Sequence, residues 1–228
     1  MSAAGASGDG LVHRLREPAG EPEGALVLNH GRGADENDLY GLLDELDPER
    51  RLLGVTTGAP LTDIPPGGRH WYLVPRVGYP DPVSFAGSYA ALSSFLDRLL
   101  DQRGIDWERT VIGGFSMGAV MSYAVGLGQG RPTPAAILAL SGFIPTVDGW
   151  APELEQRGGL PVLIHHGAND PVIPVEFGRS AHERLASAGL AVEYLESDAG
   201  HWLPPEAVRR AEGLVAAVAS TKPSRPPR

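Results

Sequence analysis

The chain contains no cysteine in its 228 residues. Disulfides, thiolate metal sites and a cysteine nucleophile are therefore all excluded, although that absence does not fix the compartment. Basic residues are scarce as well. Nineteen Lys and Arg stand against 28 Asp and Glu, for a formal charge of −9, so the clustered cations that a nucleic acid requires are missing. No run approaches the roughly 18 apolar residues of a membrane span. The first ten residues lack the basic start and apolar centre of a signal peptide. The expectation is a cytoplasmic protein with no nucleic-acid partner and no membrane span.

A chain of this length is long enough for one α/β domain with a full core, and no internal linker divides it. Residues 1–10 and 221–228, the latter rich in Pro and Arg, read as tails around a domain at 11–220. Between them, short apolar runs alternate with helical stripes. Leu11–Leu15 reads as an edge strand, and Ala25–Leu28 as a strand covered on both faces. Asp35-Glu-Asn-Asp38 supplies cap and first-turn residues for a helix that buries Leu39, Leu42, Leu43 and Leu46. Leu52–Val55 is the next strand. Asp81-Pro82 opens a helix whose buried stripe is Phe85, Tyr89, Leu92, Leu96 and Leu99. Strands follow at 110–112, 135–140, 160–165 and 192–195, with helices after 118, around 177–188 and from about 208. This alternation predicts a mostly parallel sheet with helices on both faces and a ligand beyond the carboxyl ends of the strands. Residues 57–82 form a long Gly- and Pro-rich excursion, and a loop of that length in a compact domain is usually functional.

The chemistry concentrates at Gly114-Phe-Ser-Met-Gly118, a G-x-S-x-G segment between strand-like and helix-like residues. A strand that reverses sharply into a helix leaves no room for a Cβ beside the serine, which explains the flanking glycines. In a chain with 30 glycines the pentapeptide alone is a weak signal, so its partners decide its meaning. A serine hydroxyl needs a base within hydrogen-bond reach, and in this kind of elbow the order is Ser, acid, His. Of the histidines after Ser116, His165 and His166 end a strand and His182 lies within a helix. His201, in the loop before the closing helix, is the expected base. Asp170 follows the strand ending at His165, and Pro171 and Pro174 after it stiffen its loop, so it is the favoured acid. Asp198, three residues before His201, is its rival, with Asp148 and Glu153 as weaker candidates.

Two amides are needed for an oxyanion. Met117 N–H follows the nucleophile, and Arg32 N–H, in His30-Gly-Arg-Gly33, is the natural second donor. The Arg32 side chain has two readings, a contact to an anionic part of the substrate or an ordinary solvated arginine. His30 is expected to be structural, with its ring tied to loop backbone. Trp71, Tyr72 and Trp202 are candidates for lining a substrate site. Adjacent His165 and His166 point to opposite faces of a strand and cannot chelate one metal together, so neither a metal nor a cofactor is expected.

Four segments in order, Asn29–Leu39, Gly114–Gly118, His166–Pro174 and Gly200-His201, resemble the phospholipase/carboxylesterase family of α/β-hydrolases. That family includes bacterial carboxylesterases and acyl-protein thioesterases, and the resemblance runs from about residue 11 to 219. Arg69-His-Trp-Tyr72 resembles its Arg-x-Trp-aromatic element. The resemblance implies a single α/β-hydrolase domain without a large lid, with Ser116, Asp170 and His201 as triad and Arg32 and Met117 as oxyanion donors. It also makes a homodimer unsurprising. Met117 stands where Gln is frequent, and Arg32 where the thioesterase branch tends to be apolar. The implied activity is a serine carboxylesterase acting on small-molecule esters of small or medium acyl chains. The alternatives are an acyl thioesterase or lysophospholipase, then a peptidase or amidase, then a non-catalytic binding protein.

Overall fold

The structure, a computed structural model, describes residues 10–220. Of the tails expected at 1–10 and 221–228, all but Gly10 lie outside the described residues. The strands are β1 (His13–Arg16), β2 (Ala25–Asn29), β3 (Leu53–Thr57), β4 (Thr110–Phe115), β5 (Ala136–Leu140), β6 (Pro161–Gly167) and β7 (Ala191–Ser197). They form one sheet in the order β1-β3-β2-β4-β5-β6-β7, with β1 antiparallel to β3 at one edge and the other pairings parallel. The helices are α1 (Leu42–Leu46), α2 (Pro82–Arg103), α3 (Met117–Leu127), α4 (Glu176–Ser187) and α5 (Pro205–Ala219).

The central strands are apolar through their middles, with polar residues at their ends, because each face is covered. Ala25, Val27, Ile112, Ile137, Val162 and Ile164 join the core under α2, α3 and α4. Their neighbours Leu26, Leu28, Val111, Leu138 and Leu163 join the core under α1 and α5. The period of two along a strand thus divides one continuous hydrophobic run between two cores. Helices on both faces of a mostly parallel sheet is the arrangement the sequence predicts.

Two local readings differ in outcome. Asp81 caps α2 as expected, accepting from Ser84 N at 2.9 Å with Pro82 at the first helical position. The helix expected from Asp35 begins only at Leu42. Asp35 Oδ1 accepts from the Asn37 amide at 2.8 Å, so its side chain closes a local turn that competes with the helix it was expected to cap. Leu39, Leu43 and Leu46 are buried all the same, while Leu42 is half-buried.

A buried ion pair fixes the β1 side of the sheet. Arg16 pairs with Asp47 and donates to the carbonyls of Leu43 at 2.6 Å and Leu52 at 3.2 Å. Asp47 also accepts from the amides of Arg51 and Leu52, both at 3.0 Å. Its charge is therefore met on several sides, which a buried carboxylate needs. No helix among the described residues is long and apolar enough to cross a membrane.

Candidate active site

Ser116 lies between the end of β4 and the start of α3, with φ 56° and ψ −118°. This is a strained region for a residue with a Cβ, and such strain collects at functional sites. The local packing demands the tight turn. A Cβ on Gly118 would lie 1.9 Å from the Asn29 carbonyl oxygen, and one on Gly114 would lie 2.5 Å from the same atom. Both glycines are what let α3 leave β4 directly beneath the end of β2.

Three sequence-predicted residues meet in one hydrogen-bonded chain. Ser116 Oγ donates to His201 Nε2 at 2.9 Å, and His201 Nδ1–H donates to Asp170 Oδ2 at 2.6 Å. Asp170 Oδ1 accepts from the amides of Val172 at 2.8 Å and Ile173 at 2.9 Å. Burial is the largest single influence on the Asp170 carboxyl and works against ionisation. The hydrogen bonds from His201, Ile173 and Val172 together outweigh it and hold the group below the usual carboxylate range. The His201 ring also packs on Phe115, with centroids 4.8 Å apart. Asp198, the rival acid, is exposed, and its carbonyl accepts from Asn169 Nδ2 at 3.0 Å.

The other histidines have separate employment. His165 is buried and shares a hydrogen bond of 2.9 Å with Ser197 Oγ. Burial depresses its pKa to about 4, so the ring is neutral near pH 7. His166 is buried beside the acid, with Nε2–H donating to Ile173 O at 2.8 Å and lying 3.6 Å from Asp170 Oδ2. Burial also lowers its pKa. This ring helps to hold the loop that carries Asp170, a role the sequence reading did not assign to it. The position of His166 just before Gly167, on the strand that ends at the acid's loop, was the available signal. His182 stacks on Tyr194 at 5.1 Å, away from this chain of bonds.

The two candidate oxyanion amides come from segments that are stapled together. Neither Arg32 N–H nor Met117 N–H donates to an acceptor among the described residues. Thr57 Oγ1 donates to Asn29 Oδ1 at 2.6 Å, Asn29 Nδ2 to Ser122 Oγ at 2.9 Å, and Ser122 Oγ to the Gly118 carbonyl at 2.9 Å. This buried relay ties the end of β2 to β3 and to the first turn of α3. His30, next along from β2, donates from Nδ1 to Gly31 O at 2.6 Å and accepts the Ala59 amide on Nε2 at 3.0 Å. Burial lowers its pKa, which favours the neutral ring this pairing uses. The structural role expected of His30 is therefore what its bonds describe.

The aromatic candidates separate. Trp71 is fully buried: its indole N–H donates to His30 O at 3.0 Å and its amide to Met117 Sδ at 3.2 Å. It supports the loop from behind and presents no open face. Tyr72 is buried against Phe85, with ring centroids 5.9 Å apart, and Trp202 is exposed beside His201. The long loop gives a cavity of about 330 Å³ bounded by Arg32 and Tyr72, among others. Among the described residues no group of three or more His, Cys, Asp or Glu could hold a metal ion.

A phospholipase/carboxylesterase family profile matches residues 12–217. The chain belongs to the phospholipase/carboxylesterase family. It is accordingly an α/β-hydrolase and an enzyme of the hydrolase class. In sequence it is similar to acyl-protein thioesterase 1 of Debaryomyces hansenii, 27% identical over 194 residues, covering 77% of this chain and 82% of that one. In structure it is similar to the Bacillus cereus carboxylesterase, with a TM-score of 0.78 at 20% identity over 91% of this chain and 94% of that one. Esterase PE8 also has a TM-score of 0.78, at 25% identity over 92% and 99% of the two chains.

Proposed function

We propose that this family member is a serine carboxylesterase that cleaves small-molecule esters of small or medium acyl chains through an acyl-enzyme on Ser116. The observation that carries the reading is the bonded chain from Ser116 Oγ through His201 to Asp170, with links of 2.9 and 2.6 Å. His201 Nε2 takes the Oγ proton as that oxygen attacks the ester carbonyl. Electrons shift onto the carbonyl oxygen, where the amides of Arg32 and Met117 receive the charge. As the tetrahedral intermediate collapses, the alcohol leaves with the proton held by His201, and the acyl group remains on Ser116. Water, deprotonated by His201, then attacks the acyl-enzyme, and the acid is released as Ser116 Oγ leaves and takes that proton back from His201.

Asp170 stabilises the imidazolium that forms in each step and holds Nδ1–H of the neutral ring. Its depressed pKa keeps it ionised throughout the range in which His201 acts as a base. Trp202 borders the substrate at the exposed mouth, whereas Trp71 and Tyr72 support the walls. The reaction needs no cofactor.

A second reading, an acyl thioesterase, is favoured by the names of the sequence relatives. The same steps apply with a thiolate as leaving group. Both readings are tested with p-nitrophenyl esters graded from acetate to palmitate, alongside matched thioesters, on wild type and Ser116→Ala. A serine-dependent rate peaking at short acyl chains supports the carboxylesterase. A serine-dependent rate confined to thioesters supports the second reading, and no serine-dependent rate on any of them refutes both.

A further inference from the structure

Arg32 has an employment problem. It is exposed and lies on the loop that carries a candidate oxyanion amide, yet no carboxylate comes within ion-pair distance of it among the described residues. Its guanidinium makes one hydrogen bond, from Nη2 to the Pro65 carbonyl at 3.3 Å. The acidic residues nearest along the chain and its facing loop are engaged elsewhere. Asp35 accepts from Asn37, Glu36 lies 3.5 Å from Arg69, and Asp63 accepts from Thr62. Among the described residues Arg14 and Arg76 also lack an acid partner, but each lies over a tyrosine ring, at Tyr40 and Tyr79, whereas Arg32 stands on the loop beside the serine.

Its surroundings suggest the missing partner. Arg32 borders the cavity of about 330 Å³ whose remaining wall is largely apolar, including Ile64, Tyr72, Leu73 and Val74. Besides the buried Tyr72 phenol, His70 is the other titratable group on that wall, and its Nε2–H is already committed to Gly67 O at 3.0 Å. No carboxylate lines the cavity. A planar guanidinium at the edge of an apolar wall suits a carboxylate, which it can grip with two parallel bonds and which is less screened there than in open water.

Position narrows the ligand further. A Cβ on Gly31 would lie 3.5 Å from the Ser116 Cβ, so the loop holding Arg32 passes directly over the serine. If the Arg32 amide holds the oxyanion, its guanidinium carbon lies six bonds away, a reach of roughly 7 Å when extended. We propose that the preferred substrates are esters carrying their own carboxylate a few bonds from the scissile carbonyl, half-esters of short dicarboxylic acids being the simplest case, and that the Arg32 side chain binds that carboxylate. This rests on the esterase reading above and names its substrate class.

The test compares matched pairs by pH-stat: monoethyl glutarate with ethyl pentanoate for an anion on the acyl side, and 2-carboxyethyl butanoate with propyl butanoate for one on the alcohol side. The quantity read is the ratio of kcat/KM, charged over neutral, within each pair. Wild type is expected to favour the charged member of at least one pair about tenfold, mainly through KM. Arg32→Gln should bring that ratio near one, and Arg32→Lys should leave an intermediate value because the charge survives and the fork does not. Free glutarate should inhibit wild type competitively, a readout that needs no variant. The inference is overturned if neither pair shows the preference in wild type, or if Arg32→Gln retains it. Serine-dependent hydrolysis of the neutral esters without any charge preference sinks this inference alone. Failure of every ester removes the underlying reading with it.

Discussion

Replacing Asn29 by alanine should cost both stability and turnover, although Asn29 touches no reacting atom. Its amide makes two buried hydrogen bonds, 2.6 Å from Thr57 Oγ1 and 2.9 Å to Ser122 Oγ. Removing it forfeits about 1 kcal/mol for each bond and leaves the Thr57 hydroxyl without its acceptor, which costs about 1–3 kcal/mol more. A total loss of about 3–5 kcal/mol is expected, read as a lower midpoint in urea at unchanged slope. Because Asn29 joins β2 to the first turn of α3, the amides of Arg32 and Met117 lose their fixed separation. A displacement of a fraction of an ångström lowers kcat by about 10- to 100-fold, with KM moving much less. Ser122→Ala cuts only the link to α3 and should show a milder version of the same pattern. An Asn29→Ala protein within about 0.5 kcal/mol of wild type and with full kcat would refute the reasoning.

Gly118→Ala should fail to reach a native, active state, since its Cβ would lie 1.9 Å from the Asn29 carbonyl oxygen; a soluble and active variant counts against the described elbow. Arg157 is buried and donates to the carbonyls of Glu153, Gly128 and Arg131 and to Thr133 Oγ1 at 2.9–3.1 Å. Arg157→Ala orphans those oxygens and should lower stability by about 3 kcal/mol while kcat at 25 °C stays near wild type, and urea titration with initial rates checks both. His165 has a folded pKa near 4, below the unfolded value, so the unfolded chain binds more protons between about 6.5 and 4. Stability attributable to it is therefore complete above about pH 6.5 and falls as the pH drops towards 4, by about 3 kcal/mol. Denaturant midpoints across that range should fall less steeply in His165→Gln, and an identical slope would exclude the histidine as the cause.

The parts of the fold that were legible in sequence are those where local pattern and long-range packing agree. Ala25–Leu28 and Leu160–Ile164 are continuously apolar because both faces of the sheet are covered, and the cores on either side take alternate residues. The start of α2 was readable because Asp81-Pro82 carries its own cap. The helix expected from Asp35 shows the limit. The same carboxylate can cap a helix or close a turn, and residues 35–41 take the turn before α1 begins at Leu42.

At the site, chain order and loop position favour Asp170 over Asp198 and His201 over three other histidines, and the structure brings those two into a hydrogen-bonded chain with Ser116. The relay Thr57-Asn29-Ser122-Gly118 was not legible. Its members lie on three different elements, and no spacing rule links residues 29 and 122. Trp71 was equally ambiguous: an aromatic in a long loop can line a pocket or support one. Only the bonds from its indole to His30 O and from its amide to Met117 Sδ separate the two.

The most direct test of an acyl-enzyme on Ser116 is to trap it. Wild type is mixed with excess p-nitrophenyl butanoate, quenched in acid within milliseconds and examined as intact protein and as peptides by mass spectrometry. The account predicts a stoichiometric burst of p-nitrophenol, a mass increase of one butanoyl group, and that group on the peptide containing Ser116, with none of the three in Ser116→Ala. A butanoyl group on another residue, or a burst that survives Ser116→Ala, would contradict it.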